Sequence, residues 1–108
     1  MGASRLDAFQ VVAEPTRRQI LKLLSKESLS INAIARNFDM SRPAVSKHVK
    51  LLEETGFIAI EEIGRERHCK LSEEGFEELR EWMAYYDNFW KQSLHKLEAL
   101  MDSNTPLL

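Results

Sequence analysis

Met40-Ser41-Arg42-Pro43-Ala44-Val45-Ser46-Lys47-His48-Val49-Lys50-Leu51-Leu52-Glu53-Glu54-Thr55-Gly56-Phe57-Ile58 is a stretch that marks both ends of a helix in its own residues. Ser41 is a good cap, because its hydroxyl accepts from a backbone N–H that the first turn leaves unpaired. Pro43 suits that first turn, where its missing N–H costs nothing and its φ is already helical. Gly56 ends the helix by taking the left-handed conformation that other residues avoid. The spacing predicts a helix of about 13 residues. Val45, Val49 and Leu52 fall on one face, while Arg42, Ser46, Lys47 and Lys50 point away from it. A helix with a basic, small-residue outer face near its N-terminus fits a DNA major groove. The same pattern also fits an ordinary amphipathic helix with a solvated face, so its neighbours decide.

Upstream, Leu6, Phe9, Val12 and Ala13 recur at helical spacing and predict a short first helix, broken at Glu14-Pro15 because the residue before a proline avoids helical geometry. Pro15 suits the first turn of a second helix carrying Ile20, Leu21, Leu23 and Leu24. Lys26-Glu27-Ser28-Leu29 reads as a connection, and Ser30 as the cap of a third helix running from Ile31 to Phe38. A tight turn through Asp39-Met40-Ser41 then leads into the basic helix, which makes a helix-turn-helix.

Downstream of Gly56 the apolar period drops from 3.6 to two. Residues 57–63 predict a strand with Ile58, Ile60 and Ile63 partly buried, Gly64-Arg65 a turn, and residues 66–71 the returning strand. A hairpin directly after a helix-turn-helix reads as a wing. Alone it would be a solvated edge ribbon. From Ser72 to about Met101 there is no proline, and Leu79, Met83, Tyr86, Trp90, Leu94, Leu97 and Met101 form a nearly continuous seam. One long helix is expected here, roughly 40 Å in length and longer than the domain it would pack against. Its outer half has too little of its own chain to cover its aromatics. A second copy of the helix is the expected cover, and a pocket for a small apolar effector is the alternative.

The 108 residues make one domain with a net charge of −2. That average hides an asymmetry. Residues 36–50 carry four basic side chains against Asp39 alone, whereas residues 71–108 carry three basic against eight acidic. A basic face is therefore compatible with a near-neutral chain. No run reaches the ~18 apolar residues of a membrane span, and the N-terminal stretch lacks a signal-peptide layout, so a cytoplasmic location is expected. Cys69 is the single cysteine, so no disulfide forms within one chain. It reads as a structural thiol, with oxidant sensing the alternative.

The fold expected is mainly α with a small β-hairpin wing, a winged helix-turn-helix in the order of four helices, two strands and a last helix. The domain spans residues 1–102, with a disordered tail over 103–108. The expected partner is double-stranded operator DNA, bound by a homodimer through the helix 41–55 and the wing 58–71 on a near-palindromic site. Candidate DNA contacts are Ser41, Arg42, Pro43, Ser46, Lys47, His48 and Lys50 on the helix and Arg65, Arg67 and His68 on the wing. For His48 two readings stay open, donation to phosphate or simple packing. The candidate dimer interface is Leu6, Phe9, Tyr86, Phe89, Trp90, Leu94, Leu97 and Met101. A protein-interaction module using the last helix is the rival from another class. No nucleophile with an oriented base and no Gly-rich phosphate loop is present, so an enzyme is not expected, and no cofactor is called for.

Glu14-Pro15-Thr16-Arg17-Arg18-Gln19-Ile20-Leu21-Lys22-Leu23-Leu24 and the run Ser41 to Leu52 with its exit Glu54-Thr55-Gly56-Phe57-Ile58 resemble the second and recognition helices of ArsR-type (ArsR/SmtB) winged-helix repressors. The resemblance covers about residues 5–100 and implies a homodimer on the first and last helices, operator binding, and repression relieved by an effector. The family's metal ligands do not transfer. The helix from Ile31 to Phe38 has no Cys-x-Cys pair. Asp87-Asn88-Phe89 keeps the Asp of the other site but has Phe where its His belongs, and His95-Lys96-Leu97-Glu98 lies too near Asp87. No metal is therefore expected. Phe89-Trp90 before a Leu-rich end resembles a metal-independent subgroup associated with START-like ligand-binding proteins.

Overall fold

The computed structural model describes residues 6–104. Helix α1 (Ala8–Val12) opens on Asp7, whose carboxylate accepts from the Gln10 N–H at 2.8 Å, while the Gln10 side-chain oxygen accepts from the Asp7 N–H at 2.8 Å. This reciprocal cap satisfies two orphan donors at once. Helix α2 (Pro15–Leu24) is capped by Glu14, which accepts from the Arg17 N–H at 3.0 Å. Arg17 and Arg18 reach backward. The Arg17 Nε donates to the Val11 carbonyl at 2.8 Å and its Nη2 to Gln10 at 3.2 Å, and an Arg18 Nη donates to Val12 at 2.6 Å. The two arginines thus cover the carbonyls that a five-residue helix cannot pair internally.

Strand β1 (Leu29–Ser30) and helix α3 (Ile31–Ala35) follow, with the Ser30 hydroxyl accepting from the Ala33 N–H at 3.1 Å. Helix α4 (Arg42–Glu54) has the predicted 13 residues, and Ser41 accepts from the Ala44 N–H at 3.2 Å. It ends on Gly56 at φ +83°, with Phe57 N–H bonded to the Leu52 carbonyl and Gly56 N–H to that of Glu53. That pair of bonds is the Schellman arrangement. Strands β2 (Ile58–Ile63) and β3 (Glu66–Leu71) turn at Gly64, φ +66°, and lie in an antiparallel sheet ordered β1-β3-β2. A 3₁₀ turn (Glu74–Phe76) leads into α5 (Glu77–Ala84) and α6 (Asp87–Asn104).

The core joins the predicted faces. Ile20, Leu21 and Leu24 of α2, Ile31 and Ile34 of α3, Val45, Val49 and Leu52 of α4, and Phe57, Ile58 and Cys69 are all buried. Ala8 and Val11 of α1 close it from one side. Burial of this apolar set drives the fold at roughly 25 cal/mol per Å².

Several expectations need correction. Leu29, read as the end of a connection, forms a third strand with the capping Ser30, paired with Cys69 and His68 of β3. Helix α3 stops at Ala35, because Asn37 and Phe38 N–H groups bond three residues back and the Asn37 side chain takes the Ala33 carbonyl at 3.0 Å. Ile63 is 54% exposed, since it shares the outer face with Glu61 and not the core face of Ile58 and Ile60. The last helix is broken at Tyr85-Tyr86 without proline or glycine. There the Met83 carbonyl accepts from the Tyr86 N–H at 3.0 Å and from the Trp90 indole at 3.4 Å. A side chain inserted in the hydrogen-bond ladder is a known cause of kinks. Helix α6 also carries through residues 103 and 104, where a tail was expected. Residues 105–108 of that tail, like residues 1–5, lie outside the described residues.

Candidate nucleic-acid interface

Helix α4 presents three sides. Val45, Val49 and Leu52 face the core. At 100° per residue, Pro43, Lys47 and Lys50 then point outward, and Arg42, Ser46 and Glu53 lie on the flank next to the wing. Pro43, Lys47 and Lys50 are exposed. Two clefts run along the crease between α4 and the hairpin. The first, about 310 Å³, is lined by Ser30, Ile31, Asn32, Arg42, Ser46, Arg65, Glu66 and Arg67. The second, also about 310 Å³, includes Ser46, Lys47, Lys50, Glu53, Ile60 and Arg67. The structure therefore brings Arg42, Ser46, Lys47, Lys50, Arg65 and Arg67 together around one crease. Ser41 contributes the helix cap at its head, where the positive end of the helix dipole favours an anion.

Two predicted contacts sit elsewhere. His48 stands on the opposite flank of α4 and is half-buried. It lies near Glu14: burial opposes ionisation of that carboxyl, but the Arg17 N–H it accepts, the nearby imidazole of His48, the Thr16 N–H and the Arg17 charge together hold it below the usual carboxylate range. His68 lies on the outer face of the hairpin, 3.1 Å from Glu66, whereas Arg67 and Cys69 share the inner face. Burial pushes the Cys69 thiol up; Arg67 opposes this and Glu53 adds to it. A neutral thiol facing the core is a poor nucleophile.

Asn32 is the residue that sequence reading missed. Its side-chain oxygen accepts from the Arg42 Nε across the turn between α3 and α4. The only signal in the sequence is its position just after the Ser30 cap, which says nothing about a partner ten residues on.

The predicted interface residues divide. Leu6 and Phe9 are half-buried, and Phe9 meets Trp82 edge-to-face at 5.5 Å. Tyr86, Phe89, Trp90, Leu94, Leu97 and Met101 stand exposed, together with Met83 of the predicted seam and with Trp82, Tyr85 and Leu100. Among the described residues no three His, Cys, Asp or Glu side chains come together as a metal site, and no helix is long and apolar enough to cross a membrane.

The sequence pattern described as "Bacterial regulatory protein, arsR family" matches residues 14–59, from the Glu14 cap to the start of β2. The HTH-type transcriptional regulator Rv2034 of Mycobacterium tuberculosis is 34% identical over 96 residues, covering 89% of this chain and 87% of that protein. The chain belongs to the ArsR family of bacterial transcriptional regulators. The crystal structure of the ArsR family transcriptional regulator RHA00566 agrees in fold, with a TM-score of 0.69 and 36% identity over 78% of this chain and 92% of that one. The transcriptional repressor SdpR of Bacillus subtilis is 28% identical over 82 residues, 76% of this chain and 91% of that protein. As an ArsR-family member the chain is a transcriptional regulator with a winged helix-turn-helix, not an enzyme. The family pattern also acquires a physical meaning here: Glu14 and Pro15 start α2, and Arg17 and Arg18 tie it to α1.

Proposed function

We propose that this protein is a homodimeric, sequence-specific repressor that binds a near-palindromic operator through α4 and the wing. One observation carries the reading. Among the described residues the ion pairs are His68–Glu66, Lys70–Glu61 and Arg80–Glu77, and none involves Arg42, Lys47, Lys50, Arg65 or Arg67. Five cations gathered on one crease and left without carboxylate partners are matched to a polyanion. The helix supplies the shape for a major groove, with Ser46 short enough for close approach, and the hairpin tip carrying Arg65 reaches the adjoining backbone. Repression follows the character of the relative SdpR, a transcriptional repressor. Dimerisation rests on the exposed seam of α5 and α6.

The test is a gel-shift titration of the DNA upstream of the protein's own gene, at several salt concentrations, with a scrambled duplex alongside. Tight binding to the operator alone, with a steep salt dependence, is expected. Arg42→Glu or Lys50→Glu is expected to weaken it by at least ~100-fold and to flatten the salt slope by about one unit for each phosphate no longer neutralised. Lys50→Glu should leave thermal stability unchanged, because its side chain is exposed, and Arg42→Glu should cost no more than its exposed hydrogen bond to Asn32. Weak, sequence-indifferent binding by the unaltered protein overturns the reading.

A further inference from the structure

We infer that Asn32 is a positioning residue for DNA contact: through Arg42 it sets a clamp of three guanidinium groups, those of Arg42, Arg65 and Arg67, around one backbone phosphate. The inference rests on the DNA-binding reading above and specifies part of the same site. Arg42 is the first residue of α4 and is exposed, so its long side chain would ordinarily sample many rotamers. Here its Nε donates to the Asn32 side-chain amide oxygen. That bond uses the one donor at the inner end of the guanidinium and leaves the four N–H bonds of the terminal nitrogens free. Arg42, Arg65 and Arg67 line the same polar cleft of about 310 Å³, with Ser30, Asn32 and Ser46 as neutral walls. The cleft's one carboxylate, Glu66, is 3.1 Å from His68 Nε2. Guanidinium groups bind phosphate oxygens in pairs, and a tetrahedral phosphodiester is the anion that three of them can share.

The residue type at position 32 follows from the same chemistry. An amide oxygen holds the guanidinium without cancelling its charge. An aspartate would hold it more strongly in the free protein and compete with phosphate in the complex. A merely structural role would therefore rank Asp at least equal to Asn, whereas a positioning role for DNA contact ranks it far below.

The experiment is a mutant cycle with Asn32→Ala, Asn32→Asp, Arg42→Ala and the double change Asn32→Ala with Arg42→Ala. Affinity and salt slope are measured on both operator and scrambled duplexes, with melting temperatures beside them. Asn32→Ala is expected to weaken binding about three- to tenfold on both duplexes, because phosphate contacts carry no sequence information. It should have no further effect once Arg42 is Ala. Asn32→Asp should melt no lower than the unaltered protein yet bind at least ~10-fold more weakly. Arg42→Ala should weaken binding yet lower the salt slope by less than one unit, because Arg65 and Arg67 still neutralise the shared phosphate. Equal losses from Asn32→Ala in both backgrounds, or full binding by Asn32→Asp, overturn the assignment while leaving DNA binding intact. Failure of the unaltered protein to bind either duplex overturns both.

Discussion

Gly75 leaves no room for a side chain: a Cβ there would lie 2.7 Å from the ring and backbone nitrogen of Phe57, which is fully buried. Its N–H donates to the Gly56 carbonyl at 2.7 Å, so the 3₁₀ turn is pressed against the exit of α4. Gly75→Ala must push that turn or the Phe57 ring aside, at a cost of about 1–3 kcal/mol. A melting temperature lowered by roughly 4–8 °C per kcal/mol is expected, and an unchanged midpoint would show that the turn shifts freely. Glu14 offers a pH test. Its folded pKa lies below its ordinary value, so the native state binds the proton less readily than the unfolded chain does. The stability it contributes is present above the unfolded pKa of ~4.3 and is lost as pH falls through the lower folded value. Thermal melts of the unaltered protein and Glu14→Gln should therefore differ at pH ~7 and converge once the pH has fallen through the lowered folded pKa. A gap that persists in acid would mean that the carboxylate charge is not what stabilises the cap.

At the scale of elements, what could be read in the sequence is what is local. Ser30, Ser41, Pro15, Pro43 and Gly56 act within a few residues of themselves, and α2 and α4 begin or end where these residues place them. Elements fixed by distant partners were not legible. β1 is a strand because Leu29 and Ser30 meet Cys69 and His68 some forty residues later, and two residues carry no period of their own. The break between α5 and α6 depends on an indole reaching a carbonyl seven residues back, which an apolar seam does not encode. Helix α1 is the most dependent element. Five residues are too few for an isolated helix. Its last carbonyls are held by Arg17 and Arg18. Arg17→Ala removes two of these bonds and is expected to cost about 1–2 kcal/mol, toward the lower end for hydrogen bonds to charged groups because the site is partly solvated. Amide hydrogen exchange is the sensitive readout: residues 8–13 should lose protection while α4 keeps its own. Uniform loss across both helices would mean that α1 opens only with the whole domain.

For the molecule as a whole, the cations of the crease were legible because a helix period and a hairpin register place them. Asn32 was not, because a hydrogen bond across a turn leaves no periodic trace. The apolar face of the last two helices was legible as excess: apolar residues recur along α5 and α6, and among the described residues most of the large ones stand exposed. The shape agrees. The radius of gyration is 19.1 Å and the long axis 61 Å, against about 13 Å for a compact chain of this length. At roughly 100 Å² for each exposed large apolar side chain, the face can supply the ~800 Å² per partner of a standard interface. Leu94 and Leu97 stand 60% and 52% exposed within it. Replacing both by Arg puts charges into the centre of the seam without touching the winged domain. The variant is expected to sediment as a 12.5 kDa monomer, and its melting temperature should no longer rise with concentration. It should retain half-site binding but lose about 10²–10⁴ in affinity for a full operator, because the second half-site is no longer bound intramolecularly. If it instead remained a dimer with full operator affinity, the partner would have to dock elsewhere, and the exposed aromatics of α5 and α6 would need another occupant.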